Sequence, residues 1–259
     1  MTRTPLVMAN WKQHGSEIAL TDWLNSVSAV DLPQLCRVLC VPLPYLARLR
    51  QNRAVLNSPV LAGAQVVSAF CGGAYTGEVS AAMLREFVVA YTLVGHSERR
   101  QWLQETAASR RAQLNALWQQ GITPVLCVGE TAIEHQQGQT LAILQQQLAE
   151  VLDGQPQCGP LALAYEPVFA IGSGQPLGAA AAQLVHQQLR TMLHRWYSAA
   201  DCRKIHILYG GSVNSQNAGD FLRQADIDGV LVGSASLPAV GFNALCQAIM
   251  AALTPAQTA

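Results

Sequence analysis

Charge is scarce in this chain. Only 12% of its 259 residues are Asp, Glu, Lys or Arg, and the formal net charge at pH 7 is zero. Without a basic excess there is no broad nucleic-acid footprint, and a 50% hydrophobic composition is not that of a disordered segment. A small neutral or anionic metabolite is the partner such a surface suits. Long apolar runs are also missing. No window reaches about 18 uninterrupted apolar residues, and "MTRTPLVMANWKQ" at the N-terminus is too short in apolar residues for a secretory segment, so neither membrane insertion nor export is expected. Paired cysteine motifs are absent as well. The seven cysteines (36, 40, 71, 127, 158, 202 and 246) are odd in number and form no CxxC, which speaks against a disulfide framework and a zinc knuckle and for reduced thiols in the cytoplasm. No linker or compositional break divides residues 1–259, so one domain is expected, at a length that α/β barrels reach.

What the chain does have is repetition of short apolar runs. "PLVMANW" at 5, "RVLCV" at 37, "VLAGAQ" at 60, "YTLVGH" at 91, "TPVLCVG" at 123, "LALAY" at 161, "IHILYG" at 205 and "DGVLVG" at 228 are eight candidate strands. Between them the helical period shows in Leu141, Leu144, Leu148 and Leu152, in Val185, Leu189, Met192 and Trp196, and in Leu245, Ile249 and Leu253. Strands that read as continuous apolar runs are those of a parallel sheet covered on both faces. Eight strand–helix units predict a single closed (β/α)8 barrel. The competing open, doubly wound sheet would place a phosphate loop after its first strand, where "ANWKQHGS" stands instead. "GSGQPLG" from Gly172 only approximates a dinucleotide fingerprint, with its last glycine one position late, and no Walker A pattern exists. The Gln-rich run at 136–147 carries leucine spacing and reads as a solvated helix face.

In such a barrel the polar residues at strand C-termini carry the chemistry. Asn10 and Lys12 end the first strand, His96 and Glu98 the fourth, Glu166 the sixth, and the glycines of "YGGSV" and "VGSAS" the seventh and eighth. Lysine occurs only at 12 and 204, whereas arginine supplies the other 14 basic residues. A compact ammonium suits a developing oxyanion in a tight pocket better than a planar guanidinium. Each residue also has a plainer reading: Lys12 as a snorkelling surface side chain, His96 as a hydrogen-bonded core histidine, Glu98 with Arg99 and Arg100 as a surface ion-pair cluster, the glycine loops as tight turns. Convergence on one mouth favours the site. Two glycine loops opening onto helical stretches in the last two units offer backbone N–H groups to a phosphate.

These motifs together resemble the triosephosphate isomerase family. "NWK" at 10, "GAYTGEVS" at 73, "GHSERR" at 95, "CVGE" at 127, "AYEPVFAIGSG" at 164, "YGGSV" at 209 and "DGVLVGSASL" at 228 occur in family order over nearly the whole chain. The resemblance implies interconversion of dihydroxyacetone phosphate and D-glyceraldehyde 3-phosphate through an enediol(ate), with neither metal nor cofactor. It implies Glu166 as the base, His96 as a neutral imidazole polarising the carbonyl, Lys12 balancing the negative charge, Asn10 donating beside it, and Glu98 holding Lys12. The phosphate would rest on N–H groups of Gly172, Ser212, Gly233 and Ser234. Pro167 to Gly174 would form a lid that excludes water from the intermediate. A homodimer is implied, built through the loop from Val66 to Glu78, with Thr76 reaching the partner's Asn10 and Lys12.

Five positions depart from the family pattern. Gln13 stands where methionine is usual, Val66 where asparagine is frequent, Phe169 for the lid tryptophan, Ser173 for threonine and Ser234 for a second glycine. The first two bear on the dimer, the others on lid and phosphate loop. Two further readings use the same residues: a paralogous isomerase of a four-carbon ketose phosphate, and a barrel that binds phosphate with little turnover.

Overall fold

The computed structural model describes residues 3–155, 158–171 and 176–254. Eight parallel strands close on themselves in sequence order: β1 Leu6–Asn10, β2 Cys36–Val41, β3 Leu61–Ala64, β4 Val89–Val94, β5 Thr123–Val128, β6 Ala162–Tyr165, β7 His206–Tyr209 and β8 Gly229–Val232. β8 returns to pair with β1, so no sheet edge is left. Every predicted apolar run falls on one of these strands, with β2 beginning one residue and β4 two residues before its run. The single (β/α)8 barrel expected from the sequence is therefore the fold.

The continuous apolar runs follow from two buried faces. Leu6 and Met8 of β1, Val38 and Cys40 of β2, and Ala162 and Ala164 of β6 belong to the cluster that fills the barrel. Their neighbours Val7, Ala9, Leu39 and Leu163 belong to the outer cluster between strands and helices. Because side chains alternate along a strand, both parities must be apolar. Small Ala162, Ala164 and Gly63 leave room in the interior for larger Met8 and Leu93. Glycine is required at 63, where a Cβ would come within 2.5 Å of the Cys40 Sγ.

The helices cover the barrel with most of the predicted rows, although Leu141 and Leu253, near helix ends, are exposed. In Thr140–Leu152, Leu144 and Leu148 are fully buried, worth roughly 2 kcal/mol each. The helix Ala179–Leu193 ends before Trp196, which the helical row had included. Trp196 instead lies in the following turn, and its indole N–H reaches Asp153 Oδ1 at 2.7 Å. The last helix, Ala239–Leu253, packs beside the first, Glu17–Ser28, and closes the outer layer. At the N-terminal end of β8, Asp228 takes Arg3 and Arg190, each at 2.6 Å, and the amide of Ile207 at 2.8 Å. That network lies at the end of the barrel away from Asn10 and Glu166.

Candidate active site

Strand parity aims the polar residues at the barrel mouth. Asn10 continues the inward row of Leu6 and Met8, and Glu166 continues that of Ala162 and Ala164. His96 does not follow so simply, since the inward residue of β4 is Leu93. Gly95 resolves the mismatch. Its φ of +69° breaks the extended alternation just before His96, a conformation that favours glycine, and a Cβ there would meet Arg110 Cδ at 2.6 Å. A cavity of about 280 Å³ opens at this end, lined by Asn10, Lys12, His96, Glu166, Ser212, Gly233 and Ser234 among others.

Lys12 is held from two sides. Its backbone adopts φ +50°, with its amide bonded to Asn10 Oδ1 at 3.0 Å, so the carboxamide shapes the turn that presents it. Its ammonium donates to Glu98 Oε1 at 2.5 Å. Glu98 itself is off the cavity wall and meets the site through Lys12 and, at 3.7 Å from its Oε2, through His96 Nδ1.

His96 caps the short helix Ser97–Trp102, its Nδ1 accepting from the Glu98 amide at 3.3 Å. A ring nitrogen that accepts carries no proton, so the proton of the neutral ring is on Nε2. Nε2 lies 3.1 Å from Glu166 Oε1. The other carboxylate oxygen, Oε2, accepts from the Ser97 amide at 3.0 Å, the first N–H of that helix. Glu166, only 1% exposed, is thus held at the back of the cavity by the Ser97 amide, with the His96 ring beside it.

The glycine loops are shaped by what lies behind them. A Cβ on Gly210 would stand 3.0 Å from Glu166 Cγ, and one on Gly211 would stand 2.3 Å from the Tyr209 hydroxyl oxygen. Gly233 precedes the turn Ser234–Ser236, where the Ser236 hydroxyl ties back to the Gly233 carbonyl at 2.7 Å. The amides of Ser212 and Ser234 have no protein acceptor among the described residues. They are donors available to an anion.

A sequence model of the family described as Triosephosphate isomerase matches residues 5–249. Curated relatives named Triosephosphate isomerase come from Delftia acidovorans, 46% identical over 92% of this chain and 95% of the relative, and from Colwellia psychrerythraea, 40% identical over 96% and 98%. A third, from Ralstonia nicotianae, is 42% identical over 95% and 99%. The chain belongs to the triosephosphate isomerase family. It is an isomerase, and the shared name of these relatives gives no support to the four-carbon or binding-only readings.

Of the residues predicted from the triosephosphate isomerase resemblance, Asn10, Lys12, His96, Glu166, Ser212, Gly233 and Ser234 meet around the one cavity, and Glu98 stands behind it. Gly172, like Ser173 and Gly174, lies outside the described residues. Pro167, Val168 and Phe169, expected to be the first hinge of a lid, lead into a short 3-10 turn over Val168–Ala170, where the Phe169 ring packs 4.3 Å from that of His135. Arg100 corrects the surface ion-pair reading: it donates to the carbonyls of Gly95 and Cys127 at 2.7 Å and of Gly129 at 3.2 Å, joining the ends of β4 and β5. Arg99 does form an ion pair, with the buried Glu105 at 3.1 Å. Sequence reasoning also passed over Glu130, fully buried, whose Oε1 accepts from the Tyr165 hydroxyl at 3.0 Å and from Thr140 at 3.1 Å. Burial and then that carboxylate push the Tyr165 phenol up, which keeps it a donor. Burial, and next the Glu166 carboxylate, raise the Cys127 thiol well above its ordinary range, so it packs as a neutral side chain. Among the described residues no group of three or more His, Cys, Asp or Glu could hold a metal, and no helix is long and apolar enough to cross a membrane.

Proposed function

We propose that the mouth cavity carries out the family reaction, interconversion of dihydroxyacetone phosphate and D-glyceraldehyde 3-phosphate, with Glu166 as the base. The observation that carries this reading is the close approach of His96 Nε2 to Glu166 Oε1 at 3.1 Å, with Nδ1 engaged as an acceptor. A neutral imidazole with its proton on Nε2 donates to a substrate carbonyl oxygen. A carbonyl seated on that nitrogen lies beside the Glu166 carboxylate. Glu166 then takes the proton from the carbon next to the carbonyl and returns it to the neighbouring carbon.

The negative charge of the enediolate develops between His96 and Lys12. The Lys12 ammonium, kept over the mouth by Glu98, offsets it, and the Asn10 side chain holds the turn that presents Lys12. The phosphate rests on the backbone of Ser212, Gly233 and Ser234, supported by the two amides that lack protein acceptors. Gly172 belongs to the same reading, on the resemblance alone.

The wider reading takes the chain as one barrel domain, residues 1–259, and as a homodimer through the loop Val66–Glu78. Support for the dimer is the exposed pair Phe70 and Tyr75, whose rings stack at 3.7 Å on that loop. A cytoplasmic location is supported by seven cysteines that are all unpaired. The test of the reaction is a coupled assay of glyceraldehyde 3-phosphate isomerisation beside Lys12→Met and Glu166→Ala, both expected to lose turnover. Retained turnover in either variant, in a preparation free of host enzyme, overturns its assignment; light scattering of the purified protein decides the dimer.

A further inference from the structure

We propose that Gln147, in the helix Thr140–Leu152, is a positioning residue for Glu166 and acts through Gly129. The inference rests on the reading of Glu166 as the base. The hydrogen-bond ladder between β5 and β6 runs on past both strands, with the Glu166 amide donating to the Val128 carbonyl at 2.8 Å and the Val168 amide to the Glu130 carbonyl at 3.0 Å. Residues 128–130 therefore carry both the base and the segment that follows it.

Between these two bonds the chains touch backbone to backbone. A Cβ on Gly129 would stand 1.8 Å from the Glu166 carbonyl oxygen and 2.6 Å from its carbonyl carbon. No flexible side chain lies between them to absorb a displacement. A shift of Gly129 toward β6 is passed directly to the main chain of Glu166.

What holds Gly129 is a side-chain amide. The Gly129 N–H donates to Gln147 Oε1 at 2.8 Å, and Gln147 Nε2 donates to the Gly129 carbonyl at 2.9 Å. Gln147 thus offers Gly129 the donor and acceptor that a neighbouring strand would otherwise supply. It stands half-buried beside the fully buried Leu144 and Leu148, which fix the helix and with it the amide. The solvated reading of the Gln-rich run holds for Gln145 and Gln146, which are exposed, but not for Gln147. Arg100 adds one more donor to the same carbonyl at 3.2 Å, but none to the N–H.

This pairing needs both halves of an amide. Gln147→Glu keeps an acceptor for the Gly129 N–H but sets a carboxylate oxygen against the Gly129 carbonyl. Gln147→Leu removes both bonds. Either displaces Gly129, and a misplaced base slows proton transfer more than it weakens binding.

The experiment is a double-mutant cycle in the isomerisation assay, with Gln147→Glu and Gln147→Leu each made alone and with Glu166→Asp, which already withdraws the carboxylate by one methylene. The single variants are expected to lower kcat by about tenfold with KM changed less than about twofold. In the Glu166→Asp background the same changes are expected to cost less than about threefold, because the placement they disturb is already lost. Equal fold-losses in the two backgrounds, an effect on KM alone, or an unchanged kcat in the single variants would overturn the proposal. If Gln147→Leu does not fold, Gln147→Glu carries the test. Full activity of Glu166→Asp alone would show that the base was misassigned, and this inference would fall with it.

Discussion

His96 and Glu166 face each other at 3.1 Å, Nε2 to Oε1, in a cavity open to solvent. The ring nitrogen that is to polarise a substrate carbonyl thus stands beside the carboxylate that is to take the proton. Replacing His96 by Leu removes the Nε2 donor together with the Nδ1 cap on the Glu98 amide. Steady-state kinetics of His96→Leu are expected to show kcat lower by ~10²–10⁴-fold, the range for a positioned proton donor. A loss confined to KM would mean that the ring only binds substrate.

Glu98 makes its contribution through Lys12. Both side chains of that ion pair are part-exposed, at 44% and 30%, so the pair is worth under about 1 kcal/mol to the fold. Glu98→Gln should leave urea unfolding within that margin of the parent and lower kcat/KM by about tenfold, as the ammonium loses its fixed position. A large stability loss with unchanged kinetics would show the pair to be structural.

His186 gives the fold an acid-sensitive point away from the mouth. It is fully buried between the rings of Tyr165 and Tyr209, and burial lowers its pKa from the ordinary 6.5 to about 3. Between those two values the unfolded chain binds a proton that the native ring refuses. Stability from this group is therefore complete above pH 6.5 and falls as the solution is acidified, by up to about 1.4 kcal/mol per pH unit. Urea unfolding of His186→Asn between pH 7 and 4 should show a shallower fall than the parent. Equal slopes would remove His186 from the account.

The strands were legible because both of their faces are buried: Leu6 and Met8 fill the barrel while Val7 and Ala9 meet the helices, so the run is apolar throughout. The residues gathered at the mouth were legible because strand ends place them there, although His96 arrives only by the left-handed turn at Gly95. Other features depend on tertiary placement that no local pattern encodes. The end of the helix at Leu193 leaves Trp196 to bond Asp153 from a turn, and Arg100 turns inward to three carbonyls while its neighbour Arg99 pairs with Glu105 and not with Glu98. Gln147 looks identical in sequence to the exposed glutamines before it, yet only its position against Gly129 gives it two backbone partners. Gly129 itself shows in sequence only as a glycine after a strand; the Glu166 carbonyl beside it is what excludes a side chain.

The central claim is that the Glu166 carboxylate moves a proton between two carbons of a triose phosphate. Isomerisation in heavy water, followed by NMR of the product, tests this most directly. The account predicts that the receiving carbon carries either hydrogen returned from the substrate or deuterium exchanged at the Glu166 carboxyl, and that turnover and deuterium uptake are both lost in Glu166→Gln. Undiminished turnover or exchange in Glu166→Gln would contradict it.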